Sequence, residues 1–213
     1  MKYDKSRDLV WEILLRNGVR SLPVDVKAIC AKEKITVFSY RLGKSIIEDL
    51  GLEENMKGND AFSIGSIILY DDTQSSERCR FSIAHELGHA LLHASDMAIP
   101  TVYNREPSPS DDPIEAEANI FASRLLAPLC VLQFLNLNSP SEIAEFCNIS
   151  YSAAKIRFER LCQIRKRNSE RLKAKNHGTF LISKLERQVL ENFKDFIEKN
   201  KKPYSSEKKG VNE

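Results

Sequence analysis

Between Arg80 and His93 the chain reads Arg-Phe-Ser-Ile-Ala-His-Glu-Leu-Gly-His-Ala-Leu-Leu-His, and three of its four histidines fall inside this stretch. Placed on a helical wheel, Phe81, Ile83, Ala84, Leu87, Ala90, Leu91 and Leu92 leave hardly any face free of apolar residues. The spacing predicts a long buried helix from about Glu77 to Ala94, opened by the turn and capping residues Thr73 to Ser76. Two histidines and a carboxylate buried in such a helix are costly unless something such as a cation satisfies them. The order His-Glu-x-x-His supplies that reading. Residues i and i+4 lie about 40° apart around the axis and one turn apart along it, so His85 and His89 can converge on one tetrahedral ion. Glu86 projects about 100° further round, beside the ion. From there it can take a proton from a metal-bound water and pass it to a leaving amine.

Such a centre needs a third protein ligand and an open position. His93 lies eight residues beyond His85, about 12 Å along an intact helix, too far to share the ion. The longer HExxHxxGxxH pattern also fails, because Leu92 stands at the glycine position and Ser95 at the last histidine. His93 is therefore expected to act at the helix end, supporting the ligands. The segment from Asp112 to Pro128 offers a better donor. Ile114, Ala118, Phe121, Ala122, Leu125 and Leu126 share one arc of a predicted helix that starts at Asp112-Pro113, and Glu115 falls within that arc. Glu117 falls outside it, next to Arg124, and is expected to face solvent. Asn119, one turn after Glu115, is placed to hydrogen-bond a ligating histidine or carboxylate. The alternative for Glu115 is that it closes a capping box with Asp112.

The remaining pattern is mixed. A helix over residues 5–18 is followed by a second from Ser21 to about Lys32 and a strand from Ile35 to Tyr40. Residues 42–59 carry a weak signal. Strand character returns at 62–64 and 67–70, split by Gly65-Ser66, which predicts a hairpin whose edge could receive an extended peptide. Residues 95–112 read as a loop. Residues 139–161 read as two short helices around a turn at Asn148-Ile149-Ser150, with Ser150 capping the second, the helix-turn-helix layout. The run from Lys155 to Lys175 holds nine basic and two acidic residues, which serves either nucleic acid or docking to a protein, the latter being favoured. An amphipathic helix is expected from about Ile182 to Ile197, then a mobile polar tail from 201. The division expected is 1–135 for the site-bearing domain, 136–200 for the helical module and 201–213 for the tail.

With 213 residues, 42% hydrophobic and 29% charged, the chain can bury a core. A formal charge of +2 gives no global field towards nucleic acid or membrane. No apolar run is long enough to span a bilayer, and the charged opening residues do not resemble a signal peptide. Five scattered cysteines without a CxxC pair suit a reducing compartment, so cytoplasmic residence is expected. Oligomeric state is not encoded in any pattern found.

In the HELGH helix with its following Leu-Leu-His, and in the segment Glu-Ala-Glu-Ala-Asn-Ile-Phe-Ala leading to Leu-Leu-Ala-Pro, the chain resembles the ImmA/IrrE family of metallopeptidases. The second block makes the likeness specific, since bare HExxH occurs in many unrelated proteins; the usual Met before the last proline is Ala127 here. By layout the resemblance runs over about residues 20–165. It implies an α+β, zincin-like fold, Zn²⁺ as cofactor, His85, His89 and Glu115 as ligands, Glu86 as general base, and endopeptidase activity. It also implies a protein substrate, a helix-turn-helix repressor of a mobile element, phage or stress regulon. The donor set alone leaves manganese and iron open. The oxyanion stabiliser is unassigned, with Tyr103 as a guess. The rival to the peptidase reading is a DNA-binding regulator whose metal is structural or lost.

Overall fold

The computed structural model describes residues 2–93, 112–174 and 183–203. Helix α1 (Lys2–Arg16) ends at Gly18, whose φ of 63° is left-handed, and leads to α2 (Val26–Lys32). Helix α2 starts at Val26 rather than near Ser21, because the Asp25 side chain accepts from the Ala28 amide and fixes the helix there. Strand β1 (Thr36–Ser39) follows, then two short helices, α3 (Lys44–Leu50) and α4 (Glu53–Met56), in the region of weak signal. Ile47 of α3 is buried with Tyr40, Phe62 and Leu69, so a tertiary contact stabilises a helix that its own sequence barely announces.

Strands β2 (Ala61–Ile64) and β3 (Ile67–Tyr70) form the expected hairpin, turning through Gly65 at φ 54°, a conformation that costs a side-chain-bearing residue more. The sheet has the order β1-β3-β2, with β1 parallel and β2 antiparallel to β3. Alternation across the pleat divides the residues between two faces. Phe62 and its partner Leu69 join Tyr40 and Ile47 on one face. Ser63 and its partner Ile68 point to the other, where Ile68 enters the main core and α5 (Ser76–Leu92) packs.

Helix α6 (Pro113–Leu126) lies against α5, the most extensive helix pairing among the described elements. After it come α7 (Leu129–Phe134), α8 (Pro140–Cys147) and α9 (Tyr151–Ala174). The turn between α8 and α9 has Asn148 at φ 49°, and the Ser150 hydroxyl accepts from the Ala153 amide at 3.3 Å. Helix α9 runs through the basic stretch instead of ending near Cys162, since Arg and Lys are good helix formers and no breaker interrupts them. The expected C-terminal helix divides at Phe193 into α10 (Lys184–Asn192), held by a Ser183–Glu186 capping box, and α11 (Lys194–Asn200). The expected loop at 95–112 lies outside the described residues except for Asp112, and the expected tail from 201 lies outside them beyond residue 203.

One apolar cluster takes residues from either side of position 135: Ile83, Leu87, Phe121 and Leu125, but also Ile143, Cys147, Leu161 and Val189. Arg80 of α5 adds polar ties, donating to Val24 O at 2.9 Å, Asn148 O at 3.2 Å and Cys147 O at 3.3 Å. These bonds fasten the end of α8 to the start of the histidine-bearing helix. Among the described residues no helix is long and apolar enough to cross a membrane.

Candidate metal centre

Helix α5 is capped by the Ser75 hydroxyl, which accepts from Arg78 N at 3.3 Å, and every residue from Ser82 to His89 is buried. The approach of α6 to this buried run depends on Gly88. A Cβ there would lie 3.0 Å from Phe121 Cδ1 and 3.3 Å from Ala118 Cα. Ala118 thus sits over Gly88. At about 100° per residue, Glu115 lies some 60° to one side of Ala118 and Glu117 about 100° to the other, so the two carboxylates flank the helix contact.

Glu115 reaches the two histidines. Its Oε2 is 3.2 Å from His85 Nε2 and its Oε1 is 3.1 Å from His89 Nε2, while the two Nε2 atoms are 2.9 Å apart. Around a tetrahedral ion with bonds of about 2.0–2.1 Å, ligand atoms stand about 3.3 Å from one another, so this donor triangle fits a small divalent cation. Among the described residues, these three are the only group of histidine, cysteine and acidic side chains placed to hold an ion. The two imidazole rings set against it, His85 first and then His89, hold the Glu115 carboxyl well below the usual carboxylate range, so it is an anion at neutral pH.

Asn119 Oδ1 lies 3.0 Å from His85 Nδ1. A carbonyl oxygen can only accept, so His85 carries its proton on Nδ1 and presents the Nε2 lone pair to the triangle. Glu86 stays outside the triangle, buried, and accepts a 2.8 Å hydrogen bond from Ser63 Oγ of β2. Ser63 was not foreseen from the sequence. In Phe62-Ser63-Ile64 it is a polar residue within an apolar strand, which alternation alone reads as facing water.

His93 ends α5 as its C-cap, with its ring centroid 5.9 Å from that of His89, in keeping with a place at the helix end. Its Nε2 is 3.8 Å from Glu117 Oε2. Glu117 therefore does not point to solvent as its place outside the apolar arc suggested. The tight approach at Gly88 widens the covered part of α6 and brings Glu117 against the end of α5. Asp112 Oδ1 caps α6 by accepting from Ile114 N at 2.8 Å, while the Glu115 carboxylate meets the histidines, so the capping-box alternative does not describe Glu115. Tyr103 lies outside the described residues. The cysteines are free thiols apart from the triangle, and burial pushes Cys30 and Cys147 up to about 12, which makes them inert.

Comparison with curated proteins gives no match. A family model described as the IrrE N-terminal-like domain, Peptidase_M78, matches residues 30–159, a span that holds both β2 and the two helices of the triangle. With more than half of its length under that model, the chain belongs to the Peptidase_M78 family of IrrE-like metallopeptidases.

Proposed function

We propose that the protein is a zinc-dependent endopeptidase that cuts a regulatory protein, a helix-turn-helix repressor being the substrate class that the family resemblance implies. The observation that carries this reading is the convergence of His85 Nε2, His89 Nε2 and Glu115 on one point, with Glu86 buried one residue beyond His85 and not one of the three. A purely structural site would be expected to close with a fourth protein ligand. Zinc bound there would lower the pKa of a water from about 16 to about 7 and polarise a peptide carbonyl.

The chain's own residues then have separate tasks. His85, His89 and Glu115 bind the ion, and Asn119 fixes the orientation of the His85 ring. Glu86 accepts a proton on one carboxylate oxygen and returns it to the departing amine nitrogen. Ser63 holds Oε2 of that carboxylate in place. Strand β2 pairs with β3 on one side only among the described strands, which leaves its other edge to align an extended peptide by main-chain hydrogen bonds. We take residues 1–135 as the peptidase unit and 136–200 as a module that docks the substrate. Docking is favoured over DNA binding because Arg157 and Arg165 of α9 turn into the fold, donating to Ala127 O at 3.1 Å and Leu137 O at 2.8 Å instead of facing outward. A reducing, cytoplasmic setting suits the free thiols.

The test is co-expression with a candidate helix-turn-helix repressor, taken from a neighbouring gene, followed by intact mass measurement. Wild type should yield two fragments whose masses sum to that of the repressor plus one water. Glu86→Gln should yield none while keeping about one zinc per chain by elemental analysis. Cleavage that survives this substitution would refute the role given to Glu86. A protein that never carries a metal would refute the enzyme reading as a whole.

A further inference from the structure

Both helices that bear the triangle are tied to the pair α8 and α9, and the ties run in opposite directions. Helix α5, which carries His85 and His89, sends Arg80 to the end of α8, where Nε donates to Asn148 O at 3.2 Å and Nη2 to Cys147 O at 3.3 Å. The last carbonyls of a helix have no partner within it, and a cation placed there also answers the negative end of the dipole. Asn148 returns a bond, its Nδ2 donating at 3.3 Å to Oγ of Ser76, the first residue of α5. Helix α9 does for the Glu115 helix what Arg80 does for α8. Arg157, only 8% exposed, donates from Nε at 3.1 Å and also from Nη2 to Ala127 O, at the C-cap of α6.

Each side thus supplies an arginine to a helix end of the other. Apolar packing joins the same elements, since Cys147 of α8 and Leu161 of α9 share one buried cluster with Leu87 of α5 and Phe121 of α6. A pair of helices merely tethered to the peptidase unit would need neither arginine. The consequence for the site follows from its dimensions. Its donor atoms come from α5 and α6 and stand 2.9–3.2 Å apart, so a small shift of one helix against the other spoils their fit to an ion. The elements that hold α5 and α6 in register therefore include α8 and α9.

We propose that Arg80 and Arg157 are positioning residues that make α8 and α9 part of the scaffold of the metal centre, so that a substrate docked on that pair is felt at the triangle. Neither arginine is assigned contact with the reacting atoms, and each acts through the helix end that it caps. The part concerning substrate and metal rests on the function proposed above, whereas the mechanical link between the helices does not.

Amide hydrogen exchange of the full chain at increasing urea tests the link, first without metal. The amides of α8 should lose protection together with those of Ser82 to His89, and Arg80→Gln should make α8 open at lower urea. Arg80→Lys, which keeps the charge and one donor, should restore part of the joint behaviour. Zinc bound to the folded site protects whatever opens with that site. In wild type it should slow the α8 amides by the same factor as those of Ser82 to His89, and in Arg80→Gln it should slow only the latter. Arg157→Lys, which loses the fork, should weaken zinc about 5-fold or more in competition with a chelator. Ile47→Ala, a destabilising change in the separate cluster with Tyr40, Phe62 and Leu69, should bind zinc as wild type does, which separates positioning from plain loss of stability. Separate opening of α8 in metal-free wild type, zinc protection that omits α8, or unchanged zinc affinity in Arg157→Lys would each overturn the proposal. A wild type that binds no zinc refutes the metal reading instead, and the metal-free exchange then decides the link between the helices.

Discussion

Ser63 Oγ donates to Glu86 Oε2 across 2.8 Å, linking the middle of an edge strand to the carboxylate that follows His85 on α5. The bond is buried, and a hydrogen bond to a charged group contributes about 1.5–3 kcal/mol. Ser63→Ala should lower kcat by about 10-fold or more while metal content stays at the wild-type level, because no ligand is touched. Equal turnover for the two proteins on a cleavable peptide would show that Glu86 needs no such support.

Asn119 meets the His85 ring, which the proposed function makes a metal ligand. Residues that orient a ligating imidazole typically set about 10–100-fold in metal affinity, so Asn119→Ala should weaken zinc binding by that factor in competition with a coloured chelator. Unchanged affinity would mean that packing against Phe81, whose ring centroid is 6.3 Å from that of His85, is enough to orient the ring.

Gly88 governs the distance between the two helices. Adding a methyl group gains at most about 1 kcal/mol of helix propensity. It also presses on Phe121 and on the Ala118 backbone, and overpacking of that kind costs about 1–3 kcal/mol. Gly88→Ala should therefore lower the thermal midpoint of the metal-free protein, and Gly88→Val should lower it further. A midpoint raised by the alanine would show that α6 can yield without loss.

Acid sensitivity has a source remote from the triangle. The Arg16 guanidinium, assisted by the Asn17 amide at 2.7 Å, holds the Glu33 carboxyl below its ordinary value of 4.5. A depressed carboxyl adds stability above its unfolded pKa, and that contribution fades as the pH falls through the folded value. Urea midpoints should thus separate wild type from Glu33→Gln at about pH 7 and draw together as the pH falls below the ordinary value of 4.5. A constant difference over that range would remove Glu33 from the account.

The histidine helix was legible because its residues obey one period. Angles within a helix follow from counting, so His85, Glu86, His89 and the inward side of Glu115 could be placed on their own cylinders. Residues 44–56 were opaque for the opposite reason: their two helices depend on Ile47 entering a cluster made by residues 40, 62 and 69. The fate of Glu117 depended on how closely α6 approaches α5, a distance that no count along the chain contains.

By itself the sequence determined which donors exist and which of them share a helix face, since 3.6-residue periodicity is a local property of the backbone. Only the tertiary structure decided that Ser63 meets Glu86 over 23 residues, that Asn119 meets His85 over 34, and that Arg80 meets Cys147 over 67. The rotation and offset of one element against another are fixed by packing, where the absence of a side chain at Gly88 matters as much as the presence of others.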